Sequence, residues 1–317
     1  MAPSRRTSKE RGESSPDSDA TVSVLIVAYG PPETLSSCLA ALGRDFPVVV
    51  VDNGSSPKAR SLAEEAGARY VDPGRNLGFA GGVNLALAQL TPPLGDVLLI
   101  NPDAEITPAA IELLQKELHQ NPNLACVAPV LLDASNEKPI RSSWPFPTPG
   151  RAWLDTLGLG RLVPQGEFLI GAVLMLSGEA VRDVGVFDER FFLYAEETDW
   201  QRRAVDKGWK VRQVKAATAR HVGAGAGGDP MWREAAFLAG VERYIRKWFG
   251  PSGWAAFRVG AGLAAARRTL GGTPGRRAAA RRRVAIYLRE PEQVAGKFRV
   301  PLPPISADRQ PSRSSLG

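Results

Sequence analysis

The sequence predicts an α/β fold built on a mostly parallel sheet. Short apolar runs rich in β-branched residues have the composition of buried strands, and they lie at residues 22–28, 46–51, 68–71 and 96–100. Segments with helical periodicity separate them, at residues 34–42, 58–66 and 82–90. Strands that alternate with helices form parallel sheets with right-handed crossovers, and ligands bind beyond the carboxyl ends of the strands. The polar loops after these runs are therefore the first candidates for a functional site.

The alternation continues beyond residue 100 and then becomes irregular. Residues 133–165 are rich in Pro, Trp and Arg, which predicts a long functional loop. Around this loop the patterns predict helices at 108–120, 178–184, 231–249 and 254–270, and a further helix that ends at Lys207. They predict strands at 125–132 and 210–214, and residues 168–176 are apolar.

The two ends of the chain differ in composition from its middle. Residues 1–20 are polar, charged and rich in Ser and Pro, without the apolar stretch of a signal peptide, so we expect disorder there. Beyond Gly271 the chain is basic and contains Pro, and we expect only partial order. The predicted organisation is a disordered tail at 1–20, one large domain at 21–250, and a C-terminal helix with a basic, partly disordered tail at 251–317.

Composition narrows the classes of function. The net charge is +7, but arginines crowded near the C-terminus supply most of the excess, so the charge does not by itself indicate nucleic acid, and we expect no such partner. No apolar run approaches the roughly 20 residues that span a bilayer, and the default location is cytoplasmic. Cys38 and Cys126 have no metal-ligand or redox spacing and are expected to be small core residues in a reducing compartment.

Five motifs occur in a fixed order along the chain, at residues 24–29, 51–55, 76–84, 101–103 and 185–199. In residue type, order and spacing they resemble the inverting, family-two glycosyltransferases of the GT-A fold, most closely the bacterial rhamnosyltransferase-like branch. The resemblance covers about residues 22–248. It implies a Rossmann-like GT-A domain with a nucleotide-sugar-binding half at 21–132 and an acceptor-binding, catalytic half at 133–250.

The resemblance implies transfer of a sugar from a nucleoside diphosphate to an acceptor hydroxyl, with inversion and with a divalent cation, Mg²⁺ or Mn²⁺. Such a cation stabilises the leaving diphosphate and prefers oxygen ligands. Asp103 matches the last acid of the Asp-x-Asp metal motif, and Asn101 stands where the first acid often is. His221 is the candidate second ligand, with a structural capping role as the alternative. His119 is expected to be solvent-exposed instead.

The same resemblance assigns the nucleotide-sugar contacts. Asp52 would hold the base or ribose with Asn53 beside it, and Ala28 and Tyr29 would line the base pocket. A local Asx turn is the alternative for residues 52–54.

The glycine-rich segment 76–84 resembles the part of the family that runs beneath the sugar nucleotide. Asn76, Gly78 and Asn84 would lie there, and Arg75 would face the diphosphate. No Gly-Lys-Ser/Thr follows, so the segment is not a Walker loop.

Displacement at the anomeric carbon needs a base for the acceptor hydroxyl's proton. The family places Glu-Asp here with the second acid as base, so Glu197 inherits this role from the pair Glu196 and Glu197. Asp199 is the other candidate for the base, or it stabilises the helix start through the helix dipole. A purely structural acidic cap is the alternative for residues 196–199.

Branch resemblance favours L-rhamnose from dTDP-rhamnose as donor and a glycan or lipid-linked acceptor in cell-wall or surface polysaccharide synthesis. The basic C-terminus could make peripheral contact with the inner face of an anionic membrane, or it is a solvated tail. A sugar-phosphate nucleotidyltransferase and a non-catalytic sugar-nucleotide-binding module are the competing functions, while a nicotinamide dehydrogenase lacks its Gly-x-Gly-x-x-Gly here.

Overall fold

The computed structural model describes residues 21–160, 167–221 and 229–297. Its strands, in chain order, are β1 (Ser23–Ala28), β2 (Val48–Asp52), β3 (Arg69–Val71), β4 (Val97–Ile100), β5 (Ala104–Ile106), β6 (Leu124–Asp133), β7 (Ser143–Pro145), β8 (Glu167–Leu169), β9 (Val173–Leu176) and β10 (Lys210–His221). Its helices are α1 (Pro32–Leu42), α2 (Pro57–Glu65), α3 (Gly78–Leu87), α4 (Pro108–Gln120), α5 (Pro149–Leu157), α6 (Gly178–Val184), α7 (Glu196–Asp206), α8 (Pro230–Arg268), α9 (Pro274–Arg289) and α10 (Pro291–Gly296).

Eight of these strands form one sheet in the order β3-β2-β1-β4-β9-β6-β10-β5. Strands β3, β2, β1 and β4 run parallel to their neighbours, as do β6 and β10. Strand β9 is antiparallel to β4 and β6, and β5 is antiparallel to β10. The predicted mostly parallel α/β sheet is confirmed, and its parallel strands deliver the loops after β1, β2 and β4 to one edge.

Alternate residues of β1 enter two different core layers, because successive side chains of a strand point to opposite faces. Val24 and Ile26 belong to the layer that contains Leu35 of α1. Leu25 and Val27 belong to the layer of α3. Helices cover both faces of this part of the sheet, which explains the continuous apolar runs of its strands. Both cysteines are buried in these layers, as expected.

The predicted long loop at 133–165 is wrong for about half of the residues that the structure describes there. Strand β7 pairs with β8, and α5 follows it. Thr148 caps α5 by accepting a hydrogen bond from the Arg151 N–H at 3.0 Å, and Gly158 ends it in the left-handed conformation. Helix α5 packs on α8, where the Thr156 hydroxyl donates to the Gly260 carbonyl at 2.6 Å. Residues 161–166 lie outside the described part.

The C-terminal region is also more regular than expected. Helix α8 is interrupted by Gly250, whose φ of 69° breaks the helical path, so the two helices predicted on either side of residue 250 are confirmed. Of the stretch beyond Gly271, where only partial order was expected, residues up to Lys297 are described and contain α9 and α10. Residues 1–20 and 298–317 are outside the described range. Nowhere in residues 21–160, 167–221 and 229–297 is a helix both long and apolar enough to cross a membrane.

Candidate active site

The loops of the two predicted halves meet at the carboxyl edge of the sheet. After β4, the N–H of Asn101 donates to the carbonyl of Ala172 at 2.9 Å. The preceding residue, Gly171, donates its N–H to the carboxylate of Glu197. One tight turn between β8 and β9 therefore links the end of β4 to the start of α7, and the predicted metal-binding and catalytic segments lie next to each other.

Asp103 and His221 are brought together across the sheet edge. Strand β5 pairs antiparallel with β10, and His221 lies opposite Ala104. The Nε2 atom of His221 is 3.2 Å from Oδ1 of Asp103, and the two side chains are only 14% and 11% exposed. One carboxylate and one imidazole are suitable donors for Mg²⁺ or Mn²⁺.

Among the described residues, Asp103 and His221 are not joined by a third His, Cys, Asp or Glu side chain that could bind the same metal ion. Within the described ranges, no group of three or more His, Cys, Asp or Glu side chains is placed to hold a metal ion. Mg²⁺ commonly takes only one or two protein ligands and completes its shell with substrate phosphates and water. The residues present fit a cation shared with a bound diphosphate, and the assignment of Asp103 and His221 to the metal stays a prediction.

The start of α7 is set by an uncommon backbone conformation. Tyr194 and Ala195 both have positive φ, 68° and 69°, in the left-handed region that non-glycine residues seldom adopt. Strained residues of this kind are held in place only by the surrounding structure, and they cluster at functional sites. Here they turn the chain so that Glu196 and Glu197 begin the helix. The Oε2 atom of each glutamate is buried and has no hydrogen-bond partner among the described residues.

The two glutamates differ in how the protein stabilises a negative charge. Burial raises the pKa of the Glu197 carboxyl, but the backbone N–H groups of Glu197, Thr198 and Gly171 donate to it and oppose that rise. Burial raises the pKa of Glu196 further, and the neighbouring charge of Glu197 adds to the shift. Ionisation of one carboxylate opposes ionisation of its neighbour, and the backbone N–H groups favour the charge on Glu197 over the charge on Glu196.

Asp199 lies one turn into the same helix and is fully buried. The Lys247 ammonium is 2.6 Å from its Oδ1 atom, and the indole of Trp248 donates to the same oxygen at 2.9 Å. Its Oδ2 atom accepts from Arg203 at 3.1 Å. A carboxylate held by two cations and an indole is poorly placed to take a substrate proton. The contacts favour the structural role that the sequence left open for Asp199, in which it ties α7 to α8.

Asp52 ends β2 and is buried, with its carboxylate already hydrogen-bonded. It accepts from the N–H groups of Gly54 at 2.9 Å and Ser56 at 2.7 Å, and the Tyr70 hydroxyl donates to it at 2.9 Å. The local Asx turn weighed as an alternative is therefore present. Beside this turn stands Tyr29, whose ring is 64% exposed. Ala28 is buried and its carbonyl accepts from the Asn53 N–H at 2.9 Å.

Asn53 and Asn76 shape the loop that was expected to lie beneath the donor. The Asn53 amide donates to the Gly78 carbonyl at 2.9 Å and accepts from the Leu77 N–H at 3.2 Å. Asn76 accepts from the Gly78 N–H at 2.9 Å. Gly78 has φ +73° and begins α3, four residues earlier than predicted, and a Cβ there would lie 2.2 Å from the Phe192 carbonyl oxygen. These asparagines position the loop backbone, and their contact with the donor stays a prediction.

The Asn84 side chain, further along α3, also binds protein backbone. Its amide donates to the carbonyl of Phe187 at 2.9 Å and to Glu189 at 2.9 Å, and it accepts from the Phe187 N–H at 2.9 Å. The expectation that Asn84 touches the sugar nucleotide is corrected, because its donor and acceptor atoms join α3 to the segment before α7. Arg75, in contrast, is exposed and makes no ion pair with any acid of the described ranges.

Two residues of this region were not assigned from the sequence. Burial raises the pKa of Tyr194, with the charges of Glu196, Glu197 and Asp103 adding to the shift and Arg233 opposing it, so this hydroxyl stays protonated among the acids of the site. Gln201 is buried in α7, and its amide makes two hydrogen bonds to the backbone of Leu169, at 2.8 and 2.7 Å. An aromatic residue two positions before the acidic pair was the available signal for Tyr194, whereas Gln201 had none.

Comparison with known proteins identifies the family of the chain. The sequence pattern described as "Glycosyl transferase family 2" matches residues 23–174. The N-acetylglucosaminyl-diphospho-decaprenol L-rhamnosyltransferase of Mycobacterium tuberculosis is 30% identical, over 73% of this chain and 87% of that protein. The chain belongs to glycosyl transferase family 2. This membership decides against the nucleotidyltransferase alternative.

His119, the histidine that was not assigned to the site, is half-exposed and contacts Asp96 at 2.8 Å.

Other relatives agree at greater distance. The low-salt glycan biosynthesis hexosyltransferase Agl10 of Haloferax volcanii is 29% identical, over 63% of this chain and 66% of that protein, slightly less than two thirds of its length. Glucosyl-3-phosphoglycerate synthase of Mycobacterium tuberculosis, solved with Mg²⁺ and uridine diphosphate, aligns with a TM-score of 0.50 and 18% identity, over 72% of this chain and 79% of that chain. A further mycobacterial crystal structure aligns with a TM-score of 0.52 at 17% identity, over 72% of this chain and 75% of that chain. These structures support the GT-A fold.

We predict that Glu196→Gln stabilises the glycosyltransferase at neutral pH. Because the folded-state pKa of Glu196 is raised, the folded state binds a proton more tightly than the unfolded state, and stability falls as pH rises above the ordinary glutamate value. Gln cannot ionise, so the variant should not lose stability in this way as the pH rises. Thermal unfolding should show a higher Tm for the variant at pH 7 to 8, where each kcal/mol corresponds to about 2–4 °C, and almost no difference below pH of about 4.

The control for this prediction is Glu112→Gln on the exposed face of α4, which should leave Tm unchanged at both pH values. A Glu196→Gln variant that is less stable than the parent at pH 7 to 8 would show that Glu196 is ionised and stabilised in the fold.

Proposed function

We propose that the chain is a metal-dependent inverting glycosyltransferase with Glu197 as its general base. The observation that carries the proposal is the position of Glu197. Its charge is stabilised by backbone N–H groups, one of its oxygens has no partner, and the Gly171–Ala172 turn joins it to the end of β4 that bears Asp103. A carboxylate that is ionised yet incompletely hydrogen-bonded is suited to accept a proton.

In the proposed reaction the acceptor hydroxyl attacks the anomeric carbon and its proton passes to Glu197. The bond from that carbon to the diphosphate oxygen breaks, with inversion of configuration. Asp103 and His221 would hold a divalent cation, which, when bound, neutralises charge on the leaving diphosphate. Arg75 offers a further, exposed cation to the same anion.

The remaining residues bind and orient. The exposed ring of Tyr29 offers a stacking surface for the base of the donor, next to Asp52 at the end of β2. Gly78 lets the loop backbone lie close beneath the donor. The protonated Tyr194 hydroxyl is positioned between the acids of the two halves and supplies a hydrogen bond to the reacting sugar or to the acceptor.

For the substrates, we infer L-rhamnose from dTDP-rhamnose as the donor and a lipid-linked glycan as the acceptor. The support is the Mycobacterium tuberculosis relative, whose name specifies rhamnosyl transfer to N-acetylglucosaminyl-diphospho-decaprenol and of which this chain spans 87%. The proposed setting is cell-wall or surface polysaccharide synthesis.

A panel of nucleotide sugars tests the donor. With Mg²⁺ or Mn²⁺ present, dTDP-rhamnose should raise Tm more than UDP-glucose, UDP-N-acetylglucosamine or GDP-mannose, because only a ligand of the native state stabilises it, by about 2.7 kcal/mol at a concentration one hundred times Kd. Release of dTDP on addition of a diphosphate-linked N-acetylglucosamine acceptor separates an enzyme from a binding module. A larger shift with a UDP-sugar would replace the rhamnose assignment.

Glu197→Gln should lower kcat by about a hundred- to ten-thousand-fold, or roughly 3 to 5.5 kcal/mol of barrier, with donor affinity nearly intact. The amide keeps the shape and removes the basicity. Since the Glu197 pKa is raised, kcat/KM of the parent should fall at a higher pH than an ordinary glutamate would give, and this acidic limb should vanish in the variant. Steady-state rates across pH measure both effects.

Glu196→Gln is the matched control, because a neutral amide imitates the protonated acid expected at this position, and it should keep most of the activity. If Glu196→Gln lost turnover while Glu197→Gln kept it, the base would be the first glutamate and not the second.

Asp103→Asn should abolish the metal-dependent part of donor binding and leave the fold intact. The variant removes the only carboxylate of the proposed cation site while keeping its size. Isothermal titration should show that the variant binds the donor with the same affinity with and without Mn²⁺. The parent should bind the donor more tightly when Mn²⁺ is present. Glu105→Gln, on β5 beyond the site, should behave as the parent. Undiminished metal dependence in Asp103→Asn would exclude this residue as ligand.

A further inference from the structure

One surface of the C-terminal helices is both apolar and strongly basic. Residues 251–289, which comprise the second half of α8 and all of α9, contain nine arginines, no lysine and no Asp or Glu. The net charge of the whole chain is +7, so the rest of it is slightly negative overall. The basic character of the protein is therefore concentrated in this one helical segment, and none of the site residues lies in it.

The exposed residues of α8 from Pro251 to Ala266 carry no charge. Val259 and Leu263 follow one another at helical spacing and are 53% and 48% exposed, and Leu270, two residues beyond the end of α8, is 86% exposed. The exposed alanines between them are Ala255, Ala256 and Ala266. A surface helix ordinarily turns polar residues to solvent, and a contiguous apolar face of this kind marks an interaction surface.

The arrangement of Arg258 keeps this face apolar. It is the single charged residue between positions 251 and 266. Its guanidinium donates to the Tyr287 carbonyl at 2.6 Å and to Glu290 at 2.9 Å, which fixes it against α9. The buried side of the same helix is occupied by Trp254 and Phe257. The helix thus has apolar residues on both sides, one packed and one exposed.

Exposed arginines border the apolar face. Among the described residues, five of them form no ion pair with an acid, and these are Arg267, Arg268, Arg276, Arg281 and Arg289. Arg267 donates to the backbone carbonyl of Asp155 at 3.3 Å. Two others, Arg282 and Arg283, bind Glu234 and stay with the body of the protein. Leu288, 75% exposed, directly precedes Arg289 on α9. Unpaired guanidinium groups thus lie beside apolar side chains.

We propose that the exposed face of α8 after Gly250, together with α9, binds the surface of anionic phospholipid membranes. Apolar side chains would enter the interface between headgroups and acyl chains, and the arginines would contact lipid phosphates. The charge pattern argues against a second copy of the chain as the occupant, since a two-fold contact would place arginines against arginines. Binding would be peripheral.

This proposal does not depend on the proposed glycosyl transfer, and its test involves no turnover. The two fit together because a lipid-linked acceptor would be presented at the same membrane. Failure of vesicle binding would leave the assignment of Glu197 untouched, and an inactive protein could still bind vesicles.

The test is co-sedimentation of the full chain with vesicles of phosphatidylcholine alone and of phosphatidylcholine and phosphatidylglycerol in equal parts. Strong binding to the anionic vesicles, weak binding to the neutral ones and a decline with added salt are expected. A basic residue near an anionic surface contributes about fivefold in partitioning, so replacing Arg268, Arg276 and Arg281 with Gln should weaken binding by about one hundredfold. Leu263→Ser with Leu270→Ser should weaken it by about tenfold or more.

Matched controls separate this surface from general charge and hydrophobicity. Lys58, Lys116 and Lys215 are exposed elsewhere, and their joint replacement with Gln removes the same charge, while Leu113→Ser removes an exposed leucine of α4. These controls should bind like the parent, and all variants should keep the parent Tm. Equal binding to both vesicle types, equal loss in the lysine control, or a dimer that forms without lipid and is broken by the leucine pair would overturn the proposal.

Discussion

The close contact between the Gly78 turn and the Phe192 backbone is the constraint on which the site depends. The Phe79 N–H donates to the Phe192 carbonyl at 2.7 Å, and no side chain at position 78 could occupy this space. On the other side, a Cβ at Gly240 would lie 2.5 Å from the carbonyl oxygen of Tyr194. The chain from 192 to 194 is held between two glycines of different helices.

This confinement explains the backbone of the residues that follow. Tyr194 and Ala195 adopt left-handed conformations that cost of order 1–3 kcal/mol each, and such conformations persist only where packing determines them. The chain then enters α7 with Glu196 and Glu197 in its first turn, directed at the turn between β8 and β9. Backbone contacts join the predicted donor-binding and catalytic halves, which fixes the position of one relative to the other.

The sequence predicted the sheet well because buried parallel strands have continuous apolar sequences. Strands β1 and β4 and helices α4 and α6 lie where expected, within a residue or two. It placed the start of α3 too late, since the glycines at 78–82 were taken as a loop. In the structure these glycines are the helix, and a Cβ at Gly82 would lie 2.6 Å from Val27. Close packing on a strand, not flexibility, accounts for them, and one sequence does not distinguish the two.

The role of a side chain could be predicted only where its position at the end of a strand determines that role. Asp103 and His221 each follow or end a strand, so their meeting at the sheet edge could be anticipated. The hydrogen-bond partners of Asn53 and Asn84 lie 25 and 103 residues away, at Gly78 and Phe187. No local feature of the sequence predicts these hydrogen bonds. An asparagine in a ligand motif is equally suited to bind backbone, and only the fold shows which occurs.

The pairing of charges around α7 leaves one carboxylate in a position to act. Asp199 is held by Lys247 and Arg203, while Asp188 binds Arg190 and Lys247, whose hydrogen bonds lower its pKa against the effect of burial. Glu196 and Glu197 make no ion pair among the described residues, and of these two the backbone N–H groups favour ionisation of the second.

Glu197 fills the position where the family resemblance leads us to expect the shorter Asp, and Gly171 lies opposite its side chain. A Cβ built at Gly171 would lie 3.5 Å from both Cβ and Cγ of Glu197, which is ordinary van der Waals contact. The turn at Gly171 therefore packs directly on the Glu197 side chain, and its N–H donates to the carboxylate. Because one residue supplies both the packing and the hydrogen bond, the proposed base depends on the turn between β8 and β9 as much as on its own helix.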